Sequence, residues 1–167
     1  LVSEAVFARY LSTMKNIRVD ISEKFHETKI NFNGDKKVFI DQLKDAIYFS
    51  KIINYIQGYM LMKEISENYN WNLDLGLVSL IWRSGCIIRS RFLVDIKKAY
   101  DDDSNLKNLL YDEFFRNELL NSLNGARITA SIAILNGIPI PCISSAISWF
   151  DSIISKFISS GSLYILK

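Results

Sequence analysis

The sequence predicts an all-α domain, and three observations carry that reading. Apolar residues recur at three- and four-residue intervals along nearly the whole chain. Only two prolines interrupt its 167 residues, and no alternating apolar–polar run lasts more than a few residues. With 49% hydrophobic and 13% aromatic residues, the chain can bury a core as a single domain, which excludes a disordered segment. Its 20 basic and 18 acidic residues leave a net charge of +2 with scattered lysines, which argues against a nucleic-acid surface. The start lacks a signal-peptide pattern, and no apolar run is long enough to span a bilayer.

The elements follow in order. Val6, Phe7, Tyr10, Leu11 and Met14 fall on one face of a helix expected from Ser3 to about Lys15, and Ile17 to Phe25 continues or follows it. Asn33-Gly34 is a turn signal, and Asp35 suits the cap of the next helix. That helix is expected to be long and central, about 36–68. Phe39, Leu43, Ala46, Ile47, Ile53, Ile56, Met60 and Ile65 form its buried stripe, and Tyr55, Tyr59, Leu61 and Met62 make its second half apolar nearly all round. Asp74 opens a short helix to Trp82 or Arg83, with Gly85 as its stop. A further helix is expected from Cys86 to Tyr100, ended by Asp101-Asp102-Asp103-Ser104. Asn105 to Asn136 is helical again with a break near Asp112, terminated by Asn136-Gly137 and the two prolines, Pro139 and Pro141. A last helix runs from about Ser144 to Ile158 and stops at Ser159-Ser160-Gly161.

Few residues carry chemistry. His26 stands alone in a polar connection, which favours a surface residue over a base or ligand. Cys86 and Cys142 sit among apolar neighbours and read as reduced core residues of a cytoplasmic protein; they are too far from each other and from His26 for a usual metal spacing. Asp101, Asp103, Asn105 and Asp112 mimic a calcium loop. Leu106, however, occupies the position where that loop needs glycine, so an acidic helix end is the better reading. No glycine-rich phosphate loop or nucleophile elbow is present, so the chain holds no complete catalytic set.

Arginines are the exception. Arg9, at about 100° per residue, lies opposite the Phe7/Leu11/Met14 stripe, with small or hydroxylated helical neighbours in Ala5, Ser12 and Thr13. An anion could reach its guanidinium without obstruction, although spacing alone fits a solvated surface arginine as well. Arg83, Arg89 and Arg91 sit in an apolar stretch, "WRSGCIIRSRFL". There a charge is expected either to be paired, with Glu64, Glu67, Asp74, Asp95 or Asp112 as conceivable partners, or to meet a charged ligand. The expectation is structural ion pairing, with Arg83 ending one helix and Arg89 and Arg91 projecting from the next.

Several stretches in order resemble the decarboxylating 6-phosphogluconate dehydrogenase family: "EAVFARYLS", "SKIINYIQGYMLM", "WRSGCIIRSRFL", "NLLYDEFF", "GIPIP" and "FDS" after Trp149. The resemblance covers essentially the whole chain. Two departures are Ser84, where the family usually has a second glycine, and Trp149 in place of a common tyrosine.

The resemblance implies an N-terminal Rossmann domain holding NADP, then a large helical domain, then a tail that reaches into the partner subunit of a homodimer. It implies oxidation and decarboxylation of 6-phosphogluconate to ribulose 5-phosphate and CO2 in the pentose phosphate pathway (gluconate utilization), with a lysine base, a glutamate acid and no metal. Those catalytic residues and the cofactor glycines would precede Leu1, and the tail would follow Lys167. The chain is then expected to be a fragment of the C-terminal helical domain, residues 1–167, for substrate binding and dimerisation, inactive alone. The first residue is not Met and the last stretch, "SLYILK", is apolar, which fits that expectation. The arginine of the family's "VFAR" stretch contacts the substrate phosphate, which makes Arg9 the one expected substrate-binding residue here. The alternative expectation is a stand-alone helical interaction module that kept the fold and lost the chemistry.

Overall fold

The structure, a computed structural model, describes residues 1–25, 32–83 and 87–156. Among the described residues there are seven α-helices, one short 3-10 helix and no strand. The helices are α1 (Val2–Thr13), α2 (Lys15–Ser22), α3 (Lys36–Asn68), α4 (Leu75–Arg83), α5 (Leu93–Asp102), α6 (Glu113–Leu135) and α7 (Pro141–Ile154), with the 3-10 helix at Leu109–Tyr111 before α6. The all-α expectation holds. His26, the Gly85 stop, Cys86 and the end expected at Ser159-Ser160-Gly161 lie outside the described residues.

Helix boundaries are set by polar side chains that accept from otherwise unpaired N–H groups. Asp35 accepts from Lys37 and Val38 at 2.7 and 3.1 Å and starts the 33-residue α3 where the sequence places it. Asp74 accepts from Leu77 at 2.8 Å and starts α4. Asn108 accepts from Leu110 at 2.8 Å and Asp112 from Phe115 at 3.1 Å, so the break expected near Asp112 becomes a capped restart. Gly137, at φ +67°, turns the chain out of α6, and Ile138 donates back to the Ala133 carbonyl at 2.8 Å. Pro141 occupies the first turn of α7, three residues before the expected start, because proline there loses only a bond no helix would have made.

The chain divides into two compact units, residues 1–50 with 125–167, and residues 51–124. In the first, α1 packs on α7, and the core gathers Ala46 and Phe49 of α3, Ala126, Thr129, Ala130 and Ala133 of α6, and Ala146 and Phe150 of α7. The rings of Phe49 and Phe150 meet edge to face at 5.4 Å. The small residues of α6 share one helical face, and bare Gly125 lets the Asp45 side chain lie against it.

In the second unit, α4 packs along α5. Its core is a ring cluster: Tyr55 meets Phe92 at 4.9 Å and Trp82 at 6.2 Å, while Tyr59 meets Trp82 at 5.5 Å and stacks on Tyr100 at 5.9 Å. Ile52, Ile53, Ile56, Leu93, Ile96, Leu109, Phe115 and Leu119 close around it.

Three expectations are corrected. The helix expected from Cys86 starts only at Leu93, and residues 87–92 form turns. The β-branched pair Ile87-Ile88 is a poor helix start, and the Lys51 ammonium donates to the Arg89 carbonyl at 3.4 Å, an arrangement outside any helical ladder. The apolar face of α1 is not buried: Val6, Phe7, Tyr10 and Leu11 are exposed, and it is Leu1, Glu4 and Ala8 that are half-buried on the helix that meets α7. Along α3, Ile47 and Leu61 are exposed although they belong to its apolar surface.

Candidate functional site

Arg9 sits in the third turn of α1, where the sequence places it, and is exposed. The hydroxyl of Ser12 donates to the Arg9 carbonyl at 2.6 Å, and that of Thr13 to the Tyr10 carbonyl at 2.7 Å. Both hydroxyls are therefore folded back onto the backbone, a common side-chain bond within helices. They leave the guanidinium unobstructed without offering a spare proton of their own. Among the described residues no acid is paired with Arg9. A free fork of five N–H donors on a helix face can take a phosphate or carboxylate through two parallel bonds.

The other arginines are not where ion pairing would put them. Arg83 ends α4, where a cation is favoured beside the last carbonyls, and Arg89 and Arg91 lie in the turns before α5. All three are exposed, and among the described residues none joins an ion pair, so the expected buried pairing is overturned. The acids have other duties: Glu67 pairs with Lys63 at 3.5 Å, while Asp74 and Asp112 cap helices.

The calcium-like run is likewise taken up by local structure. Asp101 pairs with Lys97, Asp103 accepts from the Asn105 N–H at 2.9 Å, and no group of three or more metal-binding side chains occurs among the described residues. Cys142 is a free, half-buried thiol in the first turn of α7.

Sequence reasoning missed a polar cleft of about 610 Å³ in the second unit, lined by Lys63, Ser66, Asn70, Asn72, Asp74 and Tyr100 among others. Its rim turns on Asn70 and Asn72, both left-handed at φ 54° and 50°, and the Ser66 hydroxyl accepts from Leu73 at 2.9 Å to hold it. Two asparagines one residue apart were the available signal, because asparagine tolerates that conformation better than most residues. Burial pushes the Tyr100 phenol up to about 12, so at neutral pH it is a hydrogen-bonding group with no charge to offer.

Fold and site together define an all-helical domain that binds, with one free arginine on a helix face and no complete catalytic set among the described residues. The chain belongs to the 6-phosphogluconate dehydrogenase family, whose C-terminal-domain model matches residues 1–163. It is 43% identical over 152 residues to the decarboxylating 6-phosphogluconate dehydrogenase of Staphylococcus epidermidis and 45% identical over 152 residues to that of Lactococcus lactis, in each case over 91% of this chain and 32% of the relative. A solved structure of the Plasmodium falciparum enzyme, described in apo form and in complex with its cofactor NADP+ and its substrate 6-phosphogluconate, superposes with a TM-score of 0.87 at 36% identity. That likeness covers 92% of this chain and 33% of the other. The chain thus spans about a third of the length of the curated relatives it matches.

Proposed function

We propose that this chain works as part of a decarboxylating 6-phosphogluconate dehydrogenase in the cytoplasm, with Arg9 binding the substrate phosphate and the helical domain forming a homodimer interface. The whole enzyme converts 6-phosphogluconate and NADP+ to ribulose 5-phosphate, CO2 and NADPH. Proton transfer would fall to the lysine and glutamate that the family resemblance locates before Leu1, and this chain's part is binding. The observation that carries the reading is Arg9: an unpaired, exposed guanidinium on α1, within a chain 43% identical to named enzymes of this activity.

A bidentate pair to a dianion fixes the position of the sugar acid before any bond changes. Exposed apolar residues on α1 and α2, among them Phe7, Tyr10, Ile17 and Phe25, support a surface that further protein covers.

The test is steady-state kinetics on the complete polypeptide. Hydrogen bonds to charged groups contribute about 1.5–3 kcal/mol, so Arg9→Ala should raise KM for 6-phosphogluconate by roughly 10- to 100-fold while moving kcat much less. An unchanged KM removes the phosphate role. Absence of NADP-linked oxidation in the wild-type enzyme removes the activity itself.

A further inference from the structure

The sequence leaves Arg83, Arg89 and Arg91 two fates, pairing or meeting a charged ligand, and among the described residues the first does not occur. Lys51 brings a fourth positive charge: its ammonium donates to the Arg89 carbonyl and stands 6.0 Å from the centroid of Phe92. Phe92 meets Tyr55, and Tyr55 meets Trp82, so Arg83, one residue beyond Trp82, borders the same aromatic floor.

A counter-ion was within reach and is not used. Asp95 lies four residues after Arg91, the spacing at which Lys63 pairs with Glu67 and Lys97 with Asp101, yet it lines an acidic groove with Asp102, Asp112 and Glu113 instead. Four unneutralised cations around a buried ring cluster repel one another, and a bound anion relieves that repulsion. Because the chain as a whole carries only +2, this field is local. It suits a compact anion better than a long polyanion.

We propose that Lys51, Arg83, Arg89 and Arg91 form a binding surface for a phosphate-bearing small molecule. Arginine forks match phosphate oxygens in pairs, and Lys51 adds a point charge. The identity of the molecule rests on the function proposed above: it is the phosphorylated sugar acid or the phosphates of the dinucleotide.

The experiment uses the complete polypeptide carrying Arg89→Gln with Arg91→Gln. KM for 6-phosphogluconate and for NADP+ would be measured separately over a range of ionic strength. Expected is a fivefold or larger rise in one of the two KM values, a much smaller change in kcat, and a flatter fall of kcat/KM with salt. The KM that rises identifies the source of the phosphate. Arg89→Lys with Arg91→Lys keeps the charge and should recover most of the loss, which a purely structural role would not.

Unchanged KM values and salt dependence in the glutamine variant would overturn the proposal. So would a lysine variant as impaired as the glutamine one. Calorimetry with inorganic pyrophosphate on the same polypeptide separates the two levels of the argument. If the wild-type protein lacks 6-phosphogluconate oxidation yet binds pyrophosphate and the glutamine variant does not, the function falls and this surface stands.

Discussion

Two stretches of similar apolar character meet opposite fates. "VFARYL" in α1 and "INYIQGYM" in α3 both repeat large apolar residues at helical spacing, yet α1 buries none of its side chains while α3 buries Ile53, Tyr55, Ile56 and Tyr59. Helical periodicity identifies the face that would be buried. Whether it is buried depends on what else is present to cover it. The α3 stretch finds Trp82, Phe92 and Tyr100 within its own unit, and α1 finds too little to cover it.

The sharpest way to break that contrast is to empty one side chain from each region of the chain. Phe115, 1% exposed beside Phe92, should cost about 3–5 kcal/mol as Phe115→Ala because it leaves a cavity in a close-packed cluster. Phe7, 63% exposed, should cost under about 1 kcal/mol as Phe7→Ala. Urea midpoints of the two variants check both, and equal losses would mean that α1 is as well packed as the cluster.

Alkali should reach the packed region alone. Burial raises the Tyr59 phenol, with Tyr100 and Tyr55 adding and Ser79 opposing, and burial pushes Tyr100 from 10.0 up to about 12. From pH 10 to 12 the unfolded chain sheds these protons while the fold keeps them, so stability is full below pH 10 and falls as pH rises. For Tyr100 the loss by pH 12 is on the order of 2 kcal/mol. Urea melts from pH 9 to 11, with tyrosinate absorbance followed alongside, would show two of the eight tyrosines titrating only as the fold opens.

The fold was legible wherever local chemistry decides it. Asp35, Asp74 and Asp112 cap helices because a short carboxylate reaches N–H groups two or three residues on, and nothing distant enters. The misreadings came where distant contacts decide. An apolar run at 87–92 looks helical until Lys51, 38 residues away in sequence, donates to the Arg89 carbonyl. The cleft at Asn70 and Asn72 required a turn whose lining comes from α3, α4 and α5 together. Arg9 was legible as an accessible cation from helix geometry, but its role came only from the family resemblance, since position says nothing about what binds.

Two glycines give the finest comparison, because each adds a single methyl to a helix. At Gly125 a new Cβ would sit 2.5 Å from an Asp45 carboxylate oxygen and 2.6 Å from the Asp45 Cβ. The Cβ cannot swing away as a side-chain tip would, so α3 and α6 must part locally, and Gly125→Ala should cost about 1–3 kcal/mol. At Gly58, in the second half of α3, nothing lies within 4 Å of the added Cβ. There alanine only restricts the unfolded chain and favours the helix, and Gly58→Ala should add about 0.5–1 kcal/mol. Thermal or urea unfolding of the chain measures both signs. Repeating Gly58→Ala in the complete polypeptide then asks a further question of the same methyl. A gain that persists means the space beside Gly58 stays open, and a gain that turns into a loss means another part of the protein is seated against α3 at that point, as happens within this chain at Gly125.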